Sequence, residues 1–398
     1  MSKMNIETNA EKINELLTRG VENIFPNREF LEEKLKKGEQ LKLYLGIDPT
    51  GPTLHLGHAI NLMKMKQFQE LGHKVILLIG SFTAMIGDPT DKMAVRKPLT
   101  REQVLENCEK YKEQASVLLN FDGENPAELK YNDEWLGKLN FGEILDIASH
   151  LTVQQLLERD MFEKRMKDGK PIGLHEFLYP LMQGYDSVAM EVDGEVGGND
   201  QTFNMLVGRN LLKTMKHKEK FVLTNKLLVD PTGKKMGKTE GNMITLEDSA
   251  NEMFGKVMAW PDEMILPGFE LCTSVEDLST LENRLKSGEN PRDLKLELGE
   301  KVVEIYHGAE ESKKARQNFI DTFSKKETPD EMPESDLAGK NIVDVLVESG
   351  LVPSKSEAKR TIEQKGVYLN DEVVENFETN VESGDIIKKG KRFFVRIV

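Results

Sequence analysis

The chain has 398 residues, 38% apolar and 31% charged, which allows two or three domains with at least one large core and excludes a disordered polymer. Its formal charge of −14 argues against unselective binding to nucleic acid, although a local basic stripe would still permit a specific RNA partner. No apolar run reaches membrane-spanning length, so no membrane partner is expected. The two cysteines, Cys108 and Cys272, are too far apart in sequence to suggest a disulfide framework or a cysteine-rich zinc site, so a reducing cytoplasm is expected.

In chain order, the first twenty residues lack a signal-peptide core and predict an amphipathic helix. "LKLYLGID" (41–48) predicts a buried strand, "PTGPT" a turn, and 56–71 a helix closed by Gly72. "KVILLIGSF" (74–82) predicts a second strand. Strand, helix, strand at this spacing implies a parallel sheet, whose ligands bind beyond the carboxyl ends of its strands. "HLGH" (55–58) and "IGDPT" (86–90) both fall there. Residues 99–170 predict helices without recognisable chemistry, and 231–323 predict an acidic helical region. "SKKETPDEMPESDLAG" (324–339) reads as a linker, and 341–398 as a compact tail.

Three pieces carry chemistry. In "HLGH", Gly57 would allow close approach to the helix start, where His55, His58 and unpaired backbone N–H groups favour an anion. Simple capping by two histidines is the bland alternative, and a metal site lacks a third ligand at matching spacing. In "KKMGKTEGN" (234–242), Lys234, Lys235 and Lys238 are punctuated by Gly237 and Gly241, which suits lysines closing over a polyphosphate; a solvated lysine loop is the alternative. Tyr179, Gln183 and Asp186 follow i, i+4, i+7 spacing on one helical face, and such a set is costly to bury without a polar ligand. Pro180 is expected in a first turn, which would put Tyr179 at the helix entrance.

"HLGH" followed by "KMGKT" resembles the paired signature of class I aminoacyl-tRNA synthetases, usually HIGH and KMSKS. Leu56 stands for isoleucine, and Gly237 and Thr239 stand for the two serines. The block from Tyr44 to Gln201, with "YLGIDPT" and "GGNDQ", is similar to bacterial tyrosyl-tRNA synthetases. The resemblance implies a Rossmann-like parallel-sheet α/β catalytic domain with a helical insertion over 1–228. It further implies a helical anticodon-recognition domain over 229–323, a linker at 324–340, and over 341–398 a small α+β RNA-binding module like that of small-subunit ribosomal protein four. It implies that Tyr44 and Asp186 meet a substrate phenol, that Asp88, Tyr179 and Gln183 hold its ammonium, and that Gln201 lies beside its carboxyl. Gly46, Asp48, Gly57, Asn61, Gly198 and Asp200 would line an adenylate, and Thr50, His55, His58, Lys92, Arg96, Lys235 and Lys238 would face phosphates. Asn61 and Asn199 depart from the threonine and serine frequent at those positions.

The implied reaction is ATP-dependent activation of L-tyrosine, with Mg²⁺ accompanying ATP and no protein-bound zinc, followed by transfer to tRNA(Tyr) by a homodimer joined through the insertion. A tryptophan-specific relative and a non-catalytic RNA-binding regulator are the rival readings. In the tail, Ser354 and Glu357 predict a capping box. Lys355, Lys359 and Arg360, with Lys388, Lys391 and Arg392 near a turn, supply the basic stripe an RNA partner requires, ordinary surface charge being the alternative. Two strands are expected after that helix.

Overall fold

The computed structural model describes residues 6–88, 99–157, 159–233, 243–324, 332–370, 372–390 and 393–398. The chain divides into two compact units, Met1–Lys313 and Lys314–Val398.

The first unit is built on a six-stranded sheet: β1 (Val21–Phe25), β2 (Lys42–Ile47), β3 (Lys74–Ile79), β4 (Glu128–Tyr131), β5 (Gly194–Gly198) and β6 (Phe221–Asn225). Its order is β1-β6-β5-β2-β3-β4, parallel throughout except where β1 runs against β6. From β2 the chain steps outward to β3 and β4, then returns on the other side of β2 to form β5 and β6. The reversal between β2 and β5 leaves a crevice at their carboxyl ends, the usual ligand site of such sheets. β3 after Lys74 and the whole of β5 are buried, which accounts for their small and apolar character, with Glu195 the one charge among them.

The helix expected at 56–71 spans Leu56–Glu70 and joins the parallel neighbours β2 and β3. The amphipathic start forms the helix Ala10–Thr18, capped by Asn9 and burying Ile13, Leu16 and Leu17. Within 99–170 the helices are interrupted by β4, which is too short and too polar to show a strand period. Beyond residue 243 the unit is helical, with Ala250–Met258, Ile265–Cys272 and Leu278–Lys286 preceding a helical run that starts at Pro291.

One expectation about the helix Leu174–Met190 is overturned. Pro180 lies inside it, not in the first turn, so Tyr179 is an interior residue and not an entrance residue. Proline costs a helix the bond its N–H would have made, here to the Glu176 carbonyl. The helix persists because ten of its seventeen residues are buried, so tertiary packing outweighs local propensity.

The second unit carries a five-stranded sheet in the order β7-β11-β10-β8-β9, from β7 (Glu334–Ser335), β8 (Val367–Leu369), β9 (Glu372–Val373), β10 (Ile386–Lys389) and β11 (Phe393–Ile397). With the helices Ile342–Glu348 and Lys355–Glu363 it encloses a separate core that includes Ile342, Leu346, Ile362, Val381 and Ile387. Four strands follow the second helix instead of two, and β7 comes from the stretch read as linker. A two-residue strand carries no periodic signal. The capping box is half formed: the Ser354 hydroxyl accepts from the Glu357 N–H at 3.3 Å, but the Glu357 carboxylate pairs with Arg360. Lys355 is likewise paired with Asp344 at 2.6 Å. Lys359 and Lys388 instead lie over aromatic rings, and Lys391 and Arg392 fall outside the described residues.

Candidate active site

Strand alternation puts Tyr44, Gly46 and Asp48 in one line leading to the crevice. Tyr44 is fully buried, and its hydroxyl lies 3.1 Å from Ser187 Oγ. Burial raises the Tyr44 phenol well above its ordinary pKa, and the charges of Glu195 and Asp186 add to the effect. At the rim, one Asp48 oxygen accepts from Thr83 Oγ1 at 2.7 Å, and the other accepts from the Tyr179 hydroxyl at 2.9 Å. Gly80 makes that carboxylate position possible, because a Cβ there would stand 1.9 Å from Asp48 Oδ1.

The helix Leu174–Met190 supplies the opposite wall. Asp186 is 2% exposed and receives the Trp135 indole N–H at 2.8 Å and the Asn132 amide at 3.2 Å. Burial pushes its carboxyl well up from the usual range, against the pull of those two donors. One turn away, Gln183 donates to Glu195 at 3.4 Å, while its own Oε1 is buried with no hydrogen-bond partner. A buried acceptor without a donor is costly, and a ligand N–H would relieve that cost. Asp88 accepts from Gln201 Nε2 at 2.7 Å and lies 3.8 Å from the Arg159 guanidinium.

At the head of the helix Leu56–Glu70 the two histidines form a reciprocal cap. His55 Nδ1 accepts from the Gly57 N–H at 3.1 Å, and His58 Nδ1 accepts from the His55 N–H at 3.2 Å. Their rings stack with centroids 3.9 Å apart. With both Nδ1 atoms accepting, each neutral ring carries its proton on Nε2 and is a donor there. Capping and anion handling are therefore compatible. Gly57 also makes room for the His55 ring, whose Cε1 would stand 3.0 Å from an added Cβ.

Gly198 similarly makes room for the Asp200 carboxylate, 2.6 Å from where its Cβ would be. Gly46 is exposed on the strand, and Thr50 is exposed in the following turn. Asn61 is tied to the Gly57 carbonyl and to Asn225 at 3.3 and 2.8 Å. Lys92, Arg96, Lys235 and Lys238 lie outside the described residues. The chain following the last two runs beside the histidines: the Leu56 N–H donates to the Ile244 carbonyl at 3.1 Å and the Leu246 N–H to that of Leu54 at 2.9 Å. Among the described residues, no group of three or more His, Cys, Asp or Glu could hold a metal ion, and no helix is long and apolar enough to cross a membrane.

Comparison with known proteins decides the family. A model of class I tRNA synthetases (W and Y) matches residues 36–324, and one for the C-terminal domain of tyrosine–tRNA ligases matches 325–397. The tyrosine–tRNA ligase of Thermotoga maritima is 45% identical over 389 residues, covering 96% of each chain. That of Haemophilus influenzae is 44% identical over 96% of this chain and 95% of its own. The chain belongs to the tyrosine–tRNA ligase family. The fold agrees: a C-terminally truncated mitochondrial tyrosyl-tRNA synthetase of Aspergillus nidulans superposes with a TM-score of 0.67 at 21% identity, covering 78% of this chain and 94% of that one.

Several residues around the crevice escaped the sequence reading. Asn107, Tyr111 and Gln114 bond the carbonyls of Pro49, Gly51 and Pro52 and so strap the turn after β2. Their i, i+4, i+7 spacing does not mark one helical face, because Asn107 lies on the helix Arg101–Cys108 and Tyr111 and Gln114 on the next, Tyr111–Ala115. Trp135 carried a hint as one of only two tryptophans, since a buried indole needs an acceptor. Glu195 and Lys220 were visible as charges within or beside apolar strands.

Proposed function

We propose that this chain is a tyrosine–tRNA ligase, activating L-tyrosine with ATP and passing it to the terminal ribose of tRNA(Tyr). The observation that carries the choice of amino acid is the face of the helix Leu174–Met190. Asp186 and Tyr44 offer a phenol one acceptor and one hydroxyl, and the unpartnered Gln183 Oε1 offers an ammonium an acceptor. Asp88 and Tyr179 complete the ammonium subsite and Gln201 flanks the carboxyl, while an indole would leave Tyr44 and Asp186 poorly used.

The substrate carboxylate is ionised at neutral pH and attacks the α-phosphate without a protein base. Catalysis then rests on positioning and on donors to the phosphoryl oxygens. His55 and His58 supply Nε2–H donors; Thr50, Lys92, Arg96, Lys235 and Lys238 supply the rest. Gly46, Asp48, Gly57, Asn61, Gly198 and Asp200 line the adenylate, Asp200 accepting from a ribose hydroxyl. ATP enters as its magnesium complex, with the metal carried on the phosphates. The helical region 229–323 reads the anticodon, 324–340 links it to the tail, and the module 341–398 binds the tRNA backbone.

The working form is a cytoplasmic homodimer. Phe141, Leu145, Val153 and Leu174 support this, being 75%, 55%, 61% and 79% exposed around the helical insertion. The test of function is amino-acid-dependent ATP–pyrophosphate exchange. Stimulation by tyrosine is expected; stimulation by tryptophan alone, or by no amino acid, overturns the assignment.

A further inference from the structure

Behind the proposed tyrosine pocket lies a buried ion pair. Lys220, directly before β6, and Glu195, in β5, are 0% and 3% exposed and pair directly. Such a pair is rarely better for stability than apolar residues of the same size, so its presence here points to a specific task. Its remaining bonds lead into the proposed site. Lys220 Nζ donates to Ser187 Oγ at 2.5 Å, Ser187 Oγ stands 3.1 Å from the Tyr44 hydroxyl, and Glu195 holds Gln183. Gly208 keeps the space open, since a Cβ there would lie 2.8 Å from Ser187 Oγ and 2.9 Å from Lys220 Nζ.

Proton directions follow from this connectivity. An ammonium only donates, so Ser187 Oγ accepts from Lys220, and its own proton is left to point at Tyr44 Oη. Tyr44 then accepts from Ser187, and its own proton has Glu195 or a ligand oxygen as acceptor. Glu195 is the competing acceptor, being the register partner of Tyr44 on the adjacent strand, and Lys220 engages it.

We propose that Lys220, anchored by Glu195, sets the direction of the Ser187–Tyr44 hydrogen bond so that Tyr44 donates to the phenolic oxygen of bound tyrosine. Lys220, Glu195 and Ser187 are positioning residues for substrate choice. This inference rests on the tyrosine-activating function proposed above.

The test is Ser187→Ala in the full chain, read by exchange with tyrosine and, separately, phenylalanine. The lost interaction is equally present in ground and transition states, so KM for tyrosine rises about five- to tenfold with kcat unchanged. KM for ATP and all constants for phenylalanine stay as they were, and the preference for tyrosine falls by the same factor. Lys220→Met, which frees Glu195 to draw the Tyr44 proton, shifts the preference in the same direction. An unchanged preference in Ser187→Ala, or equal losses for both amino acids, overturns the proposal while leaving the function intact. Absence of tyrosine-dependent exchange in the unaltered chain overturns the function and this inference together.

Discussion

His55 and His58 each spend Nδ1 on a backbone N–H, and this makes them donors instead of proton acceptors toward the crevice. Removing a donor aimed at developing phosphoryl charge lowers the rate about 10²–10³-fold in comparable sites. His55→Ala and His58→Ala are each expected to depress tyrosine activation on that scale in pre-steady-state measurements, with the dissociation constant for tyrosine unchanged. Equal losses in both quantities would contradict the role. A third histidine illustrates burial without function. His73 is fully buried, accepts the Leu41 N–H at 3.2 Å, and is pulled by desolvation from 6.5 to about 4. A folded-state value below the unfolded one means that the unfolded chain binds the extra proton first. The stability His73 contributes is therefore complete above pH 6.5 and lost as pH falls through about 4, amounting to up to about 3 kcal/mol. Urea denaturation at pH 7 and pH 4.5 should show a smaller acid loss in His73→Asn, whose amide oxygen can still accept from Leu41. An identical loss would remove His73 from the account. From sequence, the first two histidines were legible because they stand in a motif at the end of a strand. His73, three residues after the helix that ends at Glu70, carried no such mark.

The helix Leu174–Met190 shows what element-scale reading can and cannot reach. Its i, i+4, i+7 face was legible because that period needs only local geometry. Its start was misplaced because a proline rule describes an isolated helix, whereas this one is held by its surroundings. Part of that hold is glycine-mediated: a Cβ on Gly184 would stand 2.9 Å from Val207, 3.0 Å from Leu211 and 3.1 Å from the Gly208 nitrogen, on the helix Thr202–Lys216. Overpacking such a contact costs about 1–3 kcal/mol. Gly184→Val should lower the thermal midpoint accordingly and raise KM for tyrosine, since the same helix presents Gln183 and Asp186. A midpoint equal to that of the unaltered chain would show that the helices can part without cost. The helix Phe141–Ser149 has the opposite problem, with Phe141 and Leu145 exposed on one face. If this face joins two copies, Phe141→Asp with Leu145→Asp should convert a dimer to a monomer in sedimentation velocity. A dimer that survives both changes would move the interface elsewhere.

At the scale of the whole molecule, the sequence made the parallel sheet and a separate tail readable, because apolar strands and a proline-rich, charged stretch differ sharply in composition. It did not reveal β4, β7 or β9, whose two to four residues gain their meaning only from the strand beside them. Nor did it reveal the residues that strap the turn after β2, because they come from a segment some sixty positions away. The two compact units have distinct buried cores, and the core of the second lies wholly within 342–397. A chain ending at Ser324, where the helical run from Pro291 stops, should therefore fold and keep every described residue of the crevice. In the proposed scheme activation of tyrosine uses residues of the first unit, whereas tRNA contacts that neutralise phosphates belong to the tail. The shortened chain should accordingly retain tyrosine-dependent pyrophosphate exchange within about twofold of the full chain, a change worth less than 1 kcal/mol. It should lose most tRNA charging, and charging by the full chain should weaken steeply with salt as released counterions cease to favour binding. Charging that survives truncation with the same salt slope would place the RNA contacts in the first unit and leave the tail without the role proposed for it.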